Sequence, residues 1–285
     1  MKSILICPGY RPAVATLAES CPLAVAPLLG ETLLAYWLVH LAAHGAKTVT
    51  VLASDRPDAV RRAVGTGARW GLQVTVVSET RELSGPEARW RHGGEGEWLP
   101  APLDVIVADH LPGLPEHRLC ASYAAWFGAA KAWLDRAITP DRVGVREIAP
   151  GIKVGWHSEV PSDAMLIPPV WIGEKVFIGS GVTLGPNAIV EDRAVVETGA
   201  EIKDSIVGPE TLVGTLTEVT DSLAIGDVLV NWKDGSCLHV TDEFLLCPLR
   251  PAANDASEWF RRMTQVLTGS TPPMMPGDHA TLPHA

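Results

Sequence analysis

The sequence predicts an α/β domain built on a mostly parallel sheet, followed by a parallel β-helix made of hexapeptide repeats. Two observations predict this fold class. Up to about residue 107, strand-length apolar runs alternate with helix-length segments, the order expected for a parallel sheet covered on both faces. From Val154 onward, an aliphatic residue recurs at every sixth position, which is the period of a stacked solenoid.

The α/β domain is predicted to span residues 1–110. Gly45 lies where a helix C-cap glycine is expected, and Pro57 suits the first turn of a helix. Because ligands of such sheets bind at the carboxyl ends of the strands, we expect a functional site among the residues that follow them. The predicted strands cover residues 4–6, 48–52, 72–77 and 105–107, and the predicted helices cover residues 32–45 and 57–64.

A helical bridge is predicted over residues 111–151, with one helix at about 122–136 that carries an apolar surface. Trp126 and Trp133 are at helical spacing, which predicts core or domain-interface positions. Trp156 and Trp171 lie near the start of the solenoid, where they are expected to stack on the bridge helix or on another subunit.

The β-helix is predicted over residues 152–250. Its six-residue period slips once by one residue, and the thirteen units amount to a little over four coils of three strands. Glycine follows several of the aliphatic residues, which predicts corners at positive φ; these are Gly173, Gly179, Gly185 and Gly214. The inward aliphatic residues are Val154, Val160, Leu166, Ile172, Ile178, Leu184, Val190, Val196 and Ile202, then Val207, Val213, Val219 and Ile225.

Two further segments follow the solenoid. A capping helix is predicted over residues 251–268, with Trp259 and Phe260 docked on the open end of the β-helix. The segment 269–285 has prolines, methionines and no periodicity, which predicts a disordered tail.

Composition narrows the functional classes. A formal net charge of −10 excludes a general nucleic-acid binder, and 47% hydrophobic residues exclude a disordered chain. The longest apolar stretch, residues 32–46, is too short to span a membrane, and the amino terminus has no signal-peptide pattern, so we expect a cytoplasmic protein. The five cysteines show no CxxC spacing, which predicts reduced thiols and no zinc site.

Residues 5–77 resemble the amino-terminal half of the sugar-1-phosphate nucleotidylyltransferases, the NDP-sugar pyrophosphorylases. PLAVAPL at 22–28 takes the place of the family's PKPLLPV segment, LLAYW at 33–37 is similar to its first helix, and GARWGL at 67–72 is similar to its GDGSRWGL turn. The resemblance implies a Rossmann-type sheet that binds a nucleotide or a sugar phosphate, followed by a hexapeptide-repeat β-helix, which in such proteins is left-handed.

The catalytic motifs of that family are degenerate in this chain. Only Gly9 remains of the GGxGTRL glycine-rich loop, and Pro8, which has no N–H, stands where a second glycine is expected. Ala13 takes the place of the loop arginine, although Arg11 lies two residues away, and Leu23 replaces the family's lysine. The resemblance therefore implies Gly9 and Arg11 as the nucleotide-binding residues.

One metal-binding position is kept. VIVAD at 105–109 resembles the strand-end motif whose aspartate holds Mg²⁺, so Asp109 is the candidate metal ligand, with Mg²⁺ expected only if a nucleotide binds. The adjacent pair Asp109 and His110 can equally be a ligand site or a strand-end cap. Only 44 residues separate Asp109 from Val154, which leaves no room for the sugar-binding half. The α/β domain is thus predicted to be truncated.

These points favour a catalytically degenerate, nucleotidyltransferase-like protein of nucleotide-sugar or polysaccharide metabolism, acting as a scaffold, sensor or partner of an active pyrophosphorylase. Whether any enzyme activity remains is left open. One alternative is a hexapeptide-repeat sugar acyltransferase that uses acyl-CoA, with His157 as the catalytic base; the simpler reading of His157 is a solvated or interface histidine. A second is an active nucleotidylyltransferase with a divergent site, and a third is a structural trimerisation module. The β-helix is the expected surface for self-association or a partner protein.

Overall fold

The computed structural model describes residues 1–138 and 144–249 of the chain. Residues Met1–Pro248 pack as one unit. The predicted capping helix at 251–268 and the predicted disordered tail at 269–285 lie outside the described residues. Within the described ranges, no helix is long and apolar enough to cross a membrane.

The amino-terminal part is built on a four-stranded parallel sheet with the strand order β5-β4-β1-β6. All four predicted strands are present, which confirms an α/β architecture for this part. The sheet ends at β6, which is an edge strand. The strands are β1 (Lys2–Ile6), β4 (Thr48–Ala53), β5 (Gln73–Ser78) and β6 (Val105–Val107), and a hairpin is formed by β2 (Pro27–Leu28) and β3 (Glu31–Thr32).

Helices cover this sheet, and two of them begin with a side-chain N-cap. The Ala35 N–H donates to the Thr32 hydroxyl at 3.1 Å, and the Ala125 N–H donates to the Ser122 hydroxyl at 3.0 Å. The helices are α1 (Ala15–Ser20), α2 (Leu33–Ala43), α3 (Pro57–Val64), α4 (Gly85–His92) and α5 (Tyr123–Trp133). Short 3-10 turns lie at Pro12–Val14, Leu23–Val25, Ala68–Trp70, Leu119–Ala121 and Leu134–Arg136.

Helix α4 is not among the helices that the sequence pattern predicts. Arg91 and His92 form the last turn of this helix. It begins with a capping box in which the side chains of Ser84 and Glu87 reach each other's backbone N–H groups, and Pro86 lies in the first turn. These local signals start a helix that hydrophobic periodicity alone does not indicate.

The hexapeptide segment folds into stacked coils with three parallel sheets. Val170 pairs with Ala188, three hexads later, whereas Ala188 pairs with Ser205, one residue short of three hexads, so the predicted slip in the repeat is confirmed. The first sheet contains β8 (Ile152–Gly155), β10 (Val170–Ile172), β13 (Ala188–Val190), β16 (Ser205–Val207) and β19 (Ser222–Ile225). The second contains β11 (Phe177–Ile178), β14 (Val195–Val196) and β17 (Thr211–Val213), and the third contains β9 (Met165–Leu166), β12 (Thr183–Leu184), β15 (Glu201–Lys203) and β18 (Glu218–Thr220).

Antiparallel strands close both ends of the stack. At Gly226, where φ is +61°, the chain reverses, so the hexad predicted at Ile225 ends in a hairpin rather than in another coil. At one end, β7 (Val145–Ala149) pairs with β8. At the other end, the first sheet is extended by β20 (Val228–Asn231) and β21 (Cys237–His239). There, β22 (Leu246–Pro248) pairs with β17 of the second sheet.

The glycines of the repeat have a different role from the one predicted. Gly185 has a positive φ of +107°, but Gly173, Gly179 and Gly214 are absent from the left-handed region. A Cβ added at any of these three glycines would come within 3 Å of backbone or side-chain atoms in the neighbouring layer of the same chain. Close approach between layers therefore requires glycine there. The left-handed corners belong instead to other residues, among them His157, Lys175, Asn187, Arg193, Asp204, Glu210, Leu216 and Asp221.

The first sheet of the β-helix is covered by the α/β part. In β10, Val170 and Ile172 point into the solenoid core, while Trp171 between them is fully buried in the core of the α/β part. The same alternation continues coil after coil. We call the buried outward residues of this sheet the interface ridge: Trp171, Ile189, Ile206, Leu223 and Val230. Trp126 and Trp133 are also buried, as predicted, whereas Trp156 is half exposed.

Polar contacts also join the α/β part to the β-helix beside the interface ridge. Glu191 is buried, and its carboxylate accepts hydrogen bonds of 2.6 Å from the backbone N–H groups of Leu29 and Gly30 in the β2–β3 turn. The buried Lys153 ammonium donates to the Leu134 carbonyl at 2.8 Å and to Asp135 at 3.0 Å. Buried charges are stable only with such partners, so these contacts fix the orientation of the α/β part.

We expect Glu191→Ala to lower the free energy of unfolding by about 3 kcal/mol, because two N–H groups of the β2–β3 turn lose a charged acceptor. Urea unfolding followed by circular dichroism measures this change. Glu201→Ala is the matched control, since Glu201 is an exposed outward residue of β15 and should change stability by less than about 0.5 kcal/mol. Equal stabilities for the two variants would contradict the assigned role of Glu191.

Candidate functional site

A cavity of about 540 Å³ lies along the edge strand β6 and reaches the carboxyl edge of the parallel sheet. Its wall is formed by β6, by the segment that precedes β6, by α2 and by the loops that follow β1, β5 and β6. Only these last loops lie where the fold class predicts ligands. Charged and aromatic side chains share this wall with apolar ones. The lining residues are Arg11, Trp37, Glu82, Pro102, Leu103, Val105, Ile106, Val107, Asp109, His110, Pro115 and Arg118.

The loop after β1 binds a carboxylate of the same chain. The Gly9 N–H donates to Glu82 Oε2 at 2.8 Å, and Arg11 Nη2 donates to Glu82 Oε1 and Oε2 at 2.9 and 2.7 Å. The Ser54 hydroxyl also lies beside Gly9: its oxygen and Glu82 Oε2 are each 3.4 Å from the position that a Cβ on Gly9 would take. The two residues predicted to bind nucleotide phosphate therefore both hold Glu82.

The loop after β6 carries an Asp–His pair. His110 Nδ1 lies 2.8 Å from Asp109 Oδ1, and the His110 carbonyl accepts a 2.8 Å hydrogen bond from Trp37 Nε1. The hydrogen bond from His110 is the main cause that lowers the pKa of Asp109, and the guanidinium of Arg118, 3.8 Å away, adds to it against the opposing effect of burial. Asp109 is thus a carboxylate committed to two cationic or hydrogen-bonding neighbours.

The residues around the cavity do not fit a Mg²⁺ ion. Such a site draws on carboxylate oxygens that are free to face the metal. Here Asp109 is engaged by His110 and Arg118, while Glu82 is engaged by Arg11 and Gly9. Over residues 1–138 and 144–249, no group of three or more His, Cys, Asp or Glu side chains is arranged to hold a metal. No step of the chemistry below is assigned to a metal.

Two buried thiols flank this region. Burial raises the pKa of Cys7 to about 12, with a further contribution from the negative charge of Glu82. Burial likewise raises the pKa of Cys120 to about 12, where the charge of Arg11 acts in the opposite direction. Thiols with such a pKa are protonated and poorly nucleophilic at neutral pH. Neither cysteine is suited to covalent catalysis.

His157 belongs to a different region. It lies just after β8, at a corner of the first coil, with a left-handed φ of +59° and an exposed side chain. The ring of the half-exposed Trp156 is 6.3 Å from its own ring, measured between centroids. His157 does not line the cavity.

The structure brings together some of the predicted residues and adds others. Arg11 and Asp109 line the same cavity, and Gly9 joins them through Glu82. Sequence reasoning missed Glu82 and Arg118. A signal for Glu82 existed, because it follows the carboxyl end of β5, where parallel-sheet ligand sites are found. Arg118 carries no comparable signal, since the loop that returns it to Asp109 is irregular.

Residues 169–204 match the family model described as bacterial transferase hexapeptide (six repeats). This match covers the coils from β10 to β15. It confirms the predicted hexapeptide repeat and supports a transferase function. It gives no support to a nucleotidyltransferase domain.

Two solved structures are similar to parts of the chain. Both are variants of the perosamine N-acetyltransferase of Caulobacter crescentus in complex with CoA and GDP-perosamine. Each is 13% identical over 64% of this chain and 94% of the other, with TM-scores of 0.18 and 0.16. These TM-scores are too low for any inference about the fold or function of this chain. No curated protein matches it.

Among the cysteines, we expect Cys237 to react fastest with a thiol reagent in the native protein at pH 8, because it is exposed. Cys7 and Cys120 should stay unmodified until the chain is unfolded, because both are buried and have a raised pKa. Peptide mass spectrometry after timed labelling measures the rates. Labelling of Cys7 at the rate of Cys237 would contradict the described packing.

The pKa of Asp109 makes its contribution to stability dependent on pH. A folded pKa below the unfolded value of 3.8 means that the contribution is present above that pH and is lost as the pH falls through the folded pKa. We expect Asp109→Asn to cost about 1 kcal/mol at pH 7, with the difference shrinking toward pH 3. Urea unfolding at both pH values tests this, and a difference that grows in acid would refute it.

Proposed function

We propose that this chain is a hexapeptide-repeat acyltransferase that transfers an acyl group from acyl-CoA to a sugar. The observation that carries the proposal is the match of residues 169–204 to the bacterial transferase hexapeptide repeats, on coils that stack as three parallel sheets. This family match favours the acyltransferase alternative over a nucleotidyltransferase, for which no comparison gives support.

The accessible faces of the β-helix are compatible with this activity. The first sheet is covered by the α/β part, but outward residues of the other two sheets reach solvent. On the second sheet, Phe177 is exposed and its neighbours Val195 and Leu212 are partly exposed, which gives an apolar strip. We place a second copy of the chain against this strip, so that acyl-CoA binds between adjacent solenoids. A monodisperse monomer in light scattering would count against this arrangement.

His157 is the proposed general base. Its imidazole would take the proton of an acceptor hydroxyl or amine as the acceptor attacks the thioester carbon of acyl-CoA. The new C–O or C–N bond forms as the C–S bond breaks, and the departing CoA thiolate takes up the proton from the imidazolium. Transfer is then complete, with His157 again neutral and no metal or oxidant required.

The α/β part supports a second candidate, a nucleotidyltransferase-like module without turnover. Its motivation is the cavity along β6, which brings Arg11 and Asp109 together. The active form of this candidate is disfavoured, because the Glu82 carboxylate occupies the Gly9 loop and the carboxylates do not fit Mg²⁺. Turnover of a nucleoside triphosphate with a hexose 1-phosphate, lost in Asp109→Ala, would restore the active form.

We expect acetyl-CoA to bind the purified protein and to acetylate at least one member of a panel of nucleotide-linked amino and hydroxy sugars. His157→Ala should lower the rate at least about 100-fold, the usual contribution of a general base. Product mass and release of CoA measure the reaction. His239→Ala is the matched control, because His239 is an exposed histidine on β21 and should leave the rate unchanged.

Two results would overturn the acyltransferase proposal. One is the absence of acetyl-CoA binding in calorimetry together with no acetylated product. The other is an acetylation rate for His157→Ala equal to that of the unaltered chain, since a general base cannot be dispensable.

A further inference from the structure

The loop after β1, which contains Gly9 and Arg11, presents two hydrogen-bond donors to one carboxylate. The Gly9 N–H and the Arg11 guanidinium both donate to the Glu82 carboxylate, and the Ser54 hydroxyl lies beside the same glycine. These groups come from the loop after β1 and from the end of β4, at the carboxyl edge of the parallel sheet. They form what we call the oxyanion cradle: Gly9, Arg11 and Ser54.

This donor set is suited to phosphate as well as to carboxylate. A backbone N–H combined with a guanidinium is a common way for proteins to bind the oxygens of either anion. The cavity of about 540 Å³ starts at the cradle, since Arg11 and Glu82 both line it. Arg118 and His110 lie on its wall, so further donors are available to the rest of a ligand.

The carboxylate of Glu82 is held by the cradle, but the loop that carries it is fixed by other contacts. The Leu83 side chain is buried, and Glu87 receives hydrogen bonds from Arg81 and from the Ser84 hydroxyl. The carboxylate can therefore be removed by substitution while these loop contacts remain. The Arg11–Glu82 pair is partly exposed, with 36% and 25% of the two side chains accessible, and such pairs stabilise a fold only modestly.

We propose that Glu82 is a resident intramolecular ligand of an oxyanion site, and that it excludes the phosphate group of a small phosphorylated molecule from the cradle. An external phosphate must displace the Glu82 carboxylate, which is tethered at the cradle and repels the phosphate because both groups are negatively charged. The site is therefore closed to phosphate at low concentration and opens when the carboxylate is withdrawn or neutralised. This inference concerns the α/β part alone and does not depend on acyl transfer by the β-helix.

The test is calorimetric binding of inorganic pyrophosphate to the full chain, in buffer with EDTA so that no divalent metal takes part. We expect Glu82→Gln to bind pyrophosphate at least tenfold more tightly than the unaltered chain, because the negative charge is removed while the side-chain size is kept. Glu87→Gln is the matched control. Glu87 is an acid that pairs with Arg81 near the same loop but does not touch the cradle, so its loss should leave the affinity unchanged.

A double variant locates the site. Adding Arg11→Met to Glu82→Gln should abolish the gain, because the guanidinium of the cradle is lost. ADP and glucose 1-phosphate, titrated into Glu82→Gln, distinguish the source of the phosphate group. Tighter binding of either than of pyrophosphate would support the site and identify a nucleotide or a sugar phosphate as its ligand.

Several outcomes would overturn the proposal. One is a pyrophosphate affinity of Glu82→Gln equal to that of the unaltered chain. Another is a gain of the same size in Glu87→Gln, which would indicate a general charge effect, and a third is a gain that survives Arg11→Met. If Glu82→Gln does not fold, Glu82→Ala is measured with thermal unfolding as a check. If Glu82→Ala is folded and binds pyrophosphate no more tightly than the unaltered chain, the proposal is likewise overturned.

Discussion

The apolar contact between the first sheet of the β-helix and the α/β part is the constraint on which the rest of the structure depends. A strand of this solenoid has inward residues that fill its core, so only its outward residues are free to bind another element. On the first sheet these outward residues are the interface ridge, and Trp171 is its largest member. Glu191 and Lys153 then fix the orientation beside it, because each buried charge has definite partners. The α/β part is thus held by side chains of the repeat itself.

This packing places the cavity and His157 in two separate regions of the chain. The cavity lies along β6 in the α/β part, and His157 lies at a corner of the first coil. Because the parallel strands of the first sheet are covered, outward residues of the other two sheets are the ones that reach solvent. The uncovered strands differ accordingly, with Glu201 and Glu218 pointing outward on the third sheet where the first has apolar residues.

The loop after β1 and the carboxylate that it binds belong together. The loop after β1 offers two hydrogen-bond donors, the Gly9 N–H and the Arg11 guanidinium. The partly exposed Arg11 guanidinium pairs with the Glu82 carboxylate of the same chain. A carboxylate that balances this charge also takes up the hydrogen bonds that a phosphate would use. The internal carboxylate therefore fills the place that we propose for an external phosphate.

The sequence by itself determined the elements that follow from local periodicity and capping. The parallel strands, the helix at about residues 32–45 and the hexapeptide coils with their one-residue slip are all predictable, because each depends on neighbours in the chain or on a fixed repeat. Only the tertiary structure decided which residues meet across long separations. Glu82 reaches Gly9, Glu191 reaches the β2–β3 turn, and Gly173 owes its identity to the adjoining layer rather than to its own φ. Such pairings arise from packing, which a one-dimensional pattern does not record.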